Sequence, residues 1–290
     1  MKPEFAVVGC GRVGMALARH LAMKGYRPVG FASRSLESAR KAAEAAGFGG
    51  AISSDPLEVI VNADIIMITT PDHAIRGVAE RIAARVVLKS GTVVLHCSGA
   101  LSSAELASLK STGAVIGSMH PLQSFAAEQM NVNPFAGIMM GIEGEPAAVE
   151  CARRMAQDLG AIPFGIDTEG KVLYHASAVV ASNYLVTLMN MAIQLLLASG
   201  VRSANMFGIL KPLIEGTLVN IENAGIPLAL TGPIARGDVA VVRSHVSELV
   251  DKAPPLLPLY TMLGIETIAV ARAKGTLSKE AAEELREILS

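Results

Sequence analysis

In the first part of the chain, short unbroken apolar runs alternate with stretches in which apolar residues recur every three or four positions. The runs predict strands at Glu4–Val8, Pro28–Ala32, Ala51–Ser53, Asp64–Thr69, Thr92–His96, Ala114–Ser118, Gly137–Ile142 and Ile162–Gly165. Between them, Val13–Lys24, Leu36–Ala46, Pro56–Asn62, His73–Val87 and Ser103–Lys110 carry the helical period. Strand and helix in alternation predict an α/β fold with a doubly wound, mostly parallel sheet. After Asp167 the strand-like runs stop. Long apolar-rich stretches follow at Lys171–Ser199, Ala204–Ala224, Val239–Val250, Leu256–Lys274 and Lys279–Leu289, punctuated by Pro227, Pro233, Pro254, Pro255 and Pro258. The expected organisation is therefore residues 1–167 as the sheet domain and 168–290 as an all-α domain.

Charge narrows the function class. With 25 Lys and Arg against 26 Asp and Glu, the net charge is −1, and no long basic run offers a nucleic-acid footprint. Cys10, Cys97 and Cys151 form no CxxC pair and leave an odd count, which suits a reducing compartment and makes cytoplasm the expected location. The first apolar run is too short for a signal-peptide core. From Val172 to Val201 no Asp, Glu, Lys or Arg occurs. That length can span a bilayer, but the stretch holds many polar residues and lacks a Lys/Arg flank. A buried core or dimer helix is the expectation, with no membrane partner and no metal site.

The densest local signal is Gly9-Cys10-Gly11-Arg12-Val13-Gly14, a GxGxxG sequence that leaves a predicted strand and opens a predicted helix. This is the Rossmann arrangement. Its first glycine permits the tight turn, its second lets backbone approach a pyrophosphate, and its third lets helix and strand pack closely. The end of the second strand selects the cofactor. An acidic residue there would hold the ribose hydroxyls of NAD or FAD; the chain instead runs into Ser33-Arg34-Ser35, and a guanidinium with two hydroxyls suits a 2′-phosphate. NADP(H) is the expected cofactor. Thr69-Thr70-Pro71-Asp72-His73 and His96-Cys97-Ser98-Gly99-Ala100 follow the fourth and fifth strands, where open α/β sheets bind ligands. Thr70 and Pro71 are placed at the adenosine edge and Ser98 near the nicotinamide or substrate, although ordinary turn chemistry accounts for these loops as well.

Hydride transfer needs a donor or cation beside the substrate heteroatom. His120, after the sixth strand, is one candidate, with a structural hydrogen bond as the alternative. At about 100° per residue, Lys171, His175 and Ser182 fall on one helix face, with Asn183 on its flank. Such a face either lines a cleft or supplies core hydrogen bonds. Read as a cleft, it gives His175 a proton-transfer role and Lys171 a fixed positive charge. Between later helices lies Thr231-Gly232-Pro233-Ile234-Ala235-Arg236-Gly237-Asp238; Arg236 clamps a substrate carboxylate or the cofactor, or else pairs with Asp238.

The stretches GCGRVG, HCSGAL, SMHPLQSF, KVLYHASAVVASNYL and LTGPIARGD, in that order, resemble an oxidoreductase family that joins a Rossmann-like NADP-binding domain to a C-terminal helical domain of uncharacterised function. More distantly the chain is similar to ketopantoate reductases, pyrroline-5-carboxylate reductases and hydroxyisobutyrate-type dehydrogenases. The resemblance implies dimerisation through the helical half. In the ketopantoate and hydroxyisobutyrate families a catalytic Lys is followed one turn later by Asn; Lys171 matches the Lys, and His175 stands at the Asn position. The combined expectation is NADP(H)-dependent reduction of a C=O or C=N bond in a small carboxylate-bearing metabolite by a cytoplasmic homodimer. Lys171 and His175 act on the heteroatom, and Ser98, Asn183 and Arg236 position the substrate. A non-catalytic NADP(H) sensor or scaffold is the competing class.

Overall fold

The computed structural model describes residues 2–125 and 132–290. It divides into two compact units, Met1–Ala181 and Ser182–Ser290.

The first unit is built on strands β1 (Glu4–Val8), β2 (Arg27–Ala32), β3 (Ala51–Ser53), β4 (Ile65–Ile68), β5 (Val93–His96), β6 (Val115–Pro121), β7 (Met139–Gly144) and β8 (Ile162–Gly165), with helices α1 (Arg12–Met23), α2 (Leu36–Ala45), α3 (Asp72–Arg85), α4 (Pro146–Leu159) and α5 (Lys171–Val179). The eight strands form one sheet in the order β3-β2-β1-β4-β5-β6-β7-β8. All pairs are parallel except β6 with β7. Alternation within each strand explains why both faces are covered. Phe5 and Val7 of β1 join Ile65 and Met67 of β4 in one buried cluster with residues of α1, α2 and α4. Ala6 and Val8 join Ile66 and Ile68 in a second cluster with residues of α3. Buried on both sides, such strands are continuous apolar runs.

Local chemistry sets several boundaries. The Ser35 hydroxyl accepts from the Ser38 amide and opens α2, while Gly160, with φ +86°, ends α4. The helix expected over Pro56–Asn62 is only a 3-10 turn at Pro56–Glu58, and that expected over Ser103–Lys110 is a 3-10 segment, Ser103–Thr112. Helix α4, absent from the sequence expectation, buries Ala148, Ala152, Met155, Ala156 and Leu159.

The second unit contains α6 (Leu185–Ala198), α7 (Met206–Ala224), α8 (Ile226–Ala229), α9 (Pro233–Arg236), α10 (Val239–Lys252), α11 (Leu257–Lys274) and α12 (Lys279–Leu289). Its core is smaller: Val242, Ile268, Ala271, Leu277, Ala282, Leu285 and Leu289 gather where α10, α11 and α12 meet. Helix α7 has no buried residue. Segments Lys171–Ala198 and Pro254–Lys274 are long and apolar enough to cross a bilayer, and only 6% and 17% of their most apolar windows are buried. Of the two expectations for Val172–Val201, a core helix or a dimer helix, the core helix is thus corrected. Within one chain this segment is largely uncovered.

Candidate active site

The sheet reverses its winding between β1 and β4, and the loops leaving their carboxyl ends open a cleft of about 960 Å³. Open α/β sheets bind ligands at this point. Gly9 has φ +101°, and a Cβ there would lie 2.6 Å from the Thr70 amide nitrogen; a Cβ on Gly14 would collide with the Gly9 carbonyl. Above Gly11, by contrast, nothing lies within 4 Å of an added Cβ. The turn is packed from below and open above. Gly11 caps α1 with no side-chain bond, so the first amides of the helix face the opening unpaired, as an anion site requires. The Thr70 hydroxyl is buried without a partner and lines the same cleft.

Of the residues expected to hold the cofactor, Gly9, Cys10, Gly11, Arg12, Val13, Ser33, Arg34, Ser35, Thr70 and Pro71 line this cleft, and Gly14 does not. Arg12 donates from Nη1 to the Phe125 carbonyl at 3.2 Å. At the far end Arg34 is exposed. Arg81 of α3 lines that end too, held by Asp55 at 2.7 Å. No sequence signal marks Arg81; only the fold brings α3 beside the β2 turn. Ser98 is not part of the cleft lining. Its hydroxyl donates to Asp72 at 2.8 Å and accepts from the Ala100 and Leu101 amides, which ties the β5 turn together.

Residues 2–121 match the model of a Rossmann-like domain, and residues 138–267 match a domain of unknown function, DUF2520. Neither match covers half of the chain, and the two do not overlap. No curated protein sequence matches it. Among solved structures, a protein of Thermotoga maritima is 27% identical, covering 92% of this chain and 99% of its own with a TM-score of 0.71. A candidate NADP oxidoreductase from Bacteroides fragilis is 24% identical over 94% and 98%, TM-score 0.68. A pyrroline-5-carboxylate reductase from Coxiella burnetii is 16% identical over 99% of both chains, TM-score 0.59. These likenesses establish a common fold across nearly the whole chain.

The DUF2520 match begins just before β7, so it supplies β7, β8 and α5 to the first unit. Here lies the second cluster of polar groups. Lys171 is 1% exposed; its ammonium donates to the Ser98 carbonyl at 2.8 Å and to the Ser118 hydroxyl, and lies 3.8 Å from Glu143. Glu143 also accepts from the Ser103 amide and hydroxyl, each at 2.8 Å, and from Thr168 at 3.0 Å. Burial pulls the Lys171 ammonium down to about 8, against the opposing pull of Glu143. Lys171 is therefore not the open, fixed charge that its sequence position implies. The fold places it beneath the β5 turn.

His120 lies within β6, opposite Gly141, rather than after the strand, since β6 runs on to Pro121. Its Nδ1 is 2.7 Å from the Tyr174 hydroxyl, and its ring stands edge-on to that of His175, centroids 6.2 Å apart. Gly99 lies under both rings: a Cβ there would be 2.8 Å from His120 Nε2 and 2.7 Å from His175 Nδ1. His175 Nδ1 has no hydrogen-bond partner. Burial, then the charges of Lys171 and His175, push His120 down to about 4, with Asp72 opposing. The imidazole is neutral at ordinary pH.

The remaining sequence candidates are dispersed. Ser182 and Asn183 fall in the second unit, and residues 180–184 wind as a π-helix, whose wider turn breaks the 3.6-residue period behind the expected common face. Arg236 ends α9 and is followed by Gly237 at φ +69°; Asp238 caps α10 by accepting from the Val241 amide. Among the described residues no ion pair joins Arg236 to Asp238. Sequence reasoning missed Glu143 and Tyr174. An acidic residue directly after a strand-like run, and a phenol three positions after Lys171, were the available signals.

Proposed function

We propose that the chain is an NADP(H)-dependent oxidoreductase that reduces a C=O or C=N bond of a small, carboxylate-bearing metabolite. The observation that carries the reading is the cleft over β1 and β4. Its near end offers unpaired helix amides, an open Gly11 and an orphaned Thr70 hydroxyl to a pyrophosphate and ribose. Its far end offers Arg34 with the hydroxyls of Ser33 and Ser35, and no carboxylate ends β2 where a ribose diol would need one. These groups fit a dinucleotide bearing a 2′-phosphate. When bound, such a cofactor supplies or accepts hydride. The chain supplies orientation through the β4 and β5 turns, linked by Asp72 and Ser98, and proton chemistry through the histidines around Gly99. Solved structures of the same fold include an imine reductase from Pseudomonas and reductive aminases from Aspergillus terreus bound to NADPH, which supports a C=N substrate as readily as a C=O one.

The uncovered helices of the second unit support a homodimer through it as part of this reading, with a reducing compartment as its setting. NADPH fluorescence on titration with protein, with NADH in parallel, tests the cofactor reading. Arg34→Ala is expected to weaken NADPH at least tenfold, about 1.4 kcal/mol, and to leave NADH nearly unchanged. Equal affinity for both nucleotides, or an unmoved NADPH affinity in the variant, would refute the 2′-phosphate assignment.

A further inference from the structure

The ammonium of Lys171 and the carboxylate of Glu143 are each about 1% exposed, and a buried pair of this kind is weak evidence for stability alone, since desolvation offsets much of the attraction. Its partners show what it organises. Lys171 grips the Ser98 carbonyl from β5 and the Ser118 hydroxyl of β6, while Glu143 of β7 holds Ser103 and Thr168. The atoms fixed in this way border Gly99, and over Gly99 stand His120 and His175. The ammonium is spent on these contacts, whereas His120 Nε2 borders the space that a Cβ on Gly99 would fill, 2.8 Å from that position, and its Nδ1 is backed by a phenol.

We propose that Lys171 and Glu143 are a positioning pair that fixes the Ser98–Gly99 turn beneath His120, and that His120, backed by Tyr174, is the group that presents a proton to the substrate heteroatom. The proposal rests on the reductase reading. With the imidazole proton on Nε2, the Tyr174 O–H donates to Nδ1. As hydride reaches the substrate carbon, the π electrons of C=O or C=N move onto the heteroatom, which takes the Nε2 proton; Nδ1 takes the phenolic proton, and water returns one to the phenolate. Burial pushes the Tyr174 phenol up to about 12, so it holds its proton until then. The groups that face His120 are Tyr174, His175 and Lys171 from α5, Asp72 from α3 and His96 from β5. Of these, Lys171, then His175 and His96, oppose protonation of the ring, and Asp72 favours it.

Side-chain nitrogen NMR of the full-length protein tests this without a substrate. In the wild type, His120 is expected as the Nε2–H tautomer with a midpoint near pH 4. Lys171→Met combined with Glu143→Gln, which removes both charges together, should raise that midpoint by at least half a pH unit, and Tyr174→Phe should erase the tautomer preference. A wild-type Nδ1–H tautomer, or a midpoint unmoved in the folded double variant, overturns the proposal. If the double variant does not fold, Tyr174→Phe carries the test, and a tautomer preference unchanged in that variant overturns the proposal. NADPH titration of the same samples separates the two readings: wild type that fails to bind NADPH sinks the cofactor assignment, and the His120 spectra still judge the positioning pair.

Discussion

Helices α4 and α7 show how differently the two units treat apolar surface. Helix α4 is Ala-rich and only moderately apolar, yet it buries five residues against the sheet. Helix α7 is longer and richer in large side chains, and buries none; Leu213 is 71% exposed and Phe207 46%. The first unit has both sheet faces closed by its own helices. The second closes the corner between α10, α11 and α12, buries only Met191 of α6 and leaves α7 uncovered. Burial follows from what the topology offers as a partner, and hydropathy of a segment does not measure it. Apolar exposure on the scale of α6 and α7 marks an interaction face, and a second copy of the chain is the occupant proposed above.

Three measurements bear on this contrast, taken from the largest expected effect to the smallest. Phe31 is wholly buried and meets Phe5 and Phe48 edge-on, at 6.2 and 5.5 Å between ring centroids. Phe31→Ala should lower the unfolding free energy by about 3–5 kcal/mol in a urea titration; a loss below about 1 kcal/mol would mean that the first unit is less closed than its burial implies. Leu213→Asp should have almost no effect if α7 meets water, since surface substitutions fall within about 0.5 kcal/mol. If a second copy covers α7, sedimentation should show a dissociation constant raised roughly 30-fold or more, the ~2 kcal/mol of a central interface residue. An unchanged mass for the variant would remove α7 from the interface.

The smallest effect is that of pH. His96 and His120, both in the first unit, are pushed down to about 4, chiefly by burial. The unfolded chain takes up protons near pH 6.5 that the folded chain refuses, so this contribution is complete above about 6.5 and fades as pH falls towards 4. Between pH 7.5 and 6 the first unit should lose roughly 1–2 kcal/mol, seen as a lower urea midpoint. A midpoint that is flat or rises on acidification would show that the histidines are not held neutral.

Much of the sheet was legible because its strands are buried on both faces and bounded by turn residues: β1, β3 and β8 begin and end where the apolar runs do. Helix α4 escaped notice because its buried face is mostly alanine, a weak signal by hydrophobicity. At Pro56–Glu58 and Ser103–Thr112, tight turns replaced the helices that composition suggested. The glycine turn was readable because its demands are local, met by consecutive residues. The polar cluster around Gly99 was only half readable. His120, Lys171 and His175 stood out as residue types, but the burial of Lys171 depends on Glu143 and Ser118 from other strands, and the π-helix at 180–184 moved Ser182 and Asn183 out of the pattern.

The register of β6 with β7 sets Ser118 directly across from Glu143, with Lys171 reaching both. Losing one charge of such a buried pair costs about 3–5 kcal/mol, a large share of the ~5–15 kcal/mol that holds a domain folded. Evolution can therefore neutralise positions 143 and 171 together far more readily than one at a time. In descendants of this sequence the two should drift as a linked couple, passing through sequences already stabilised elsewhere, and the pair is a place where lineages of this fold would diverge in steps and not by gradual substitution.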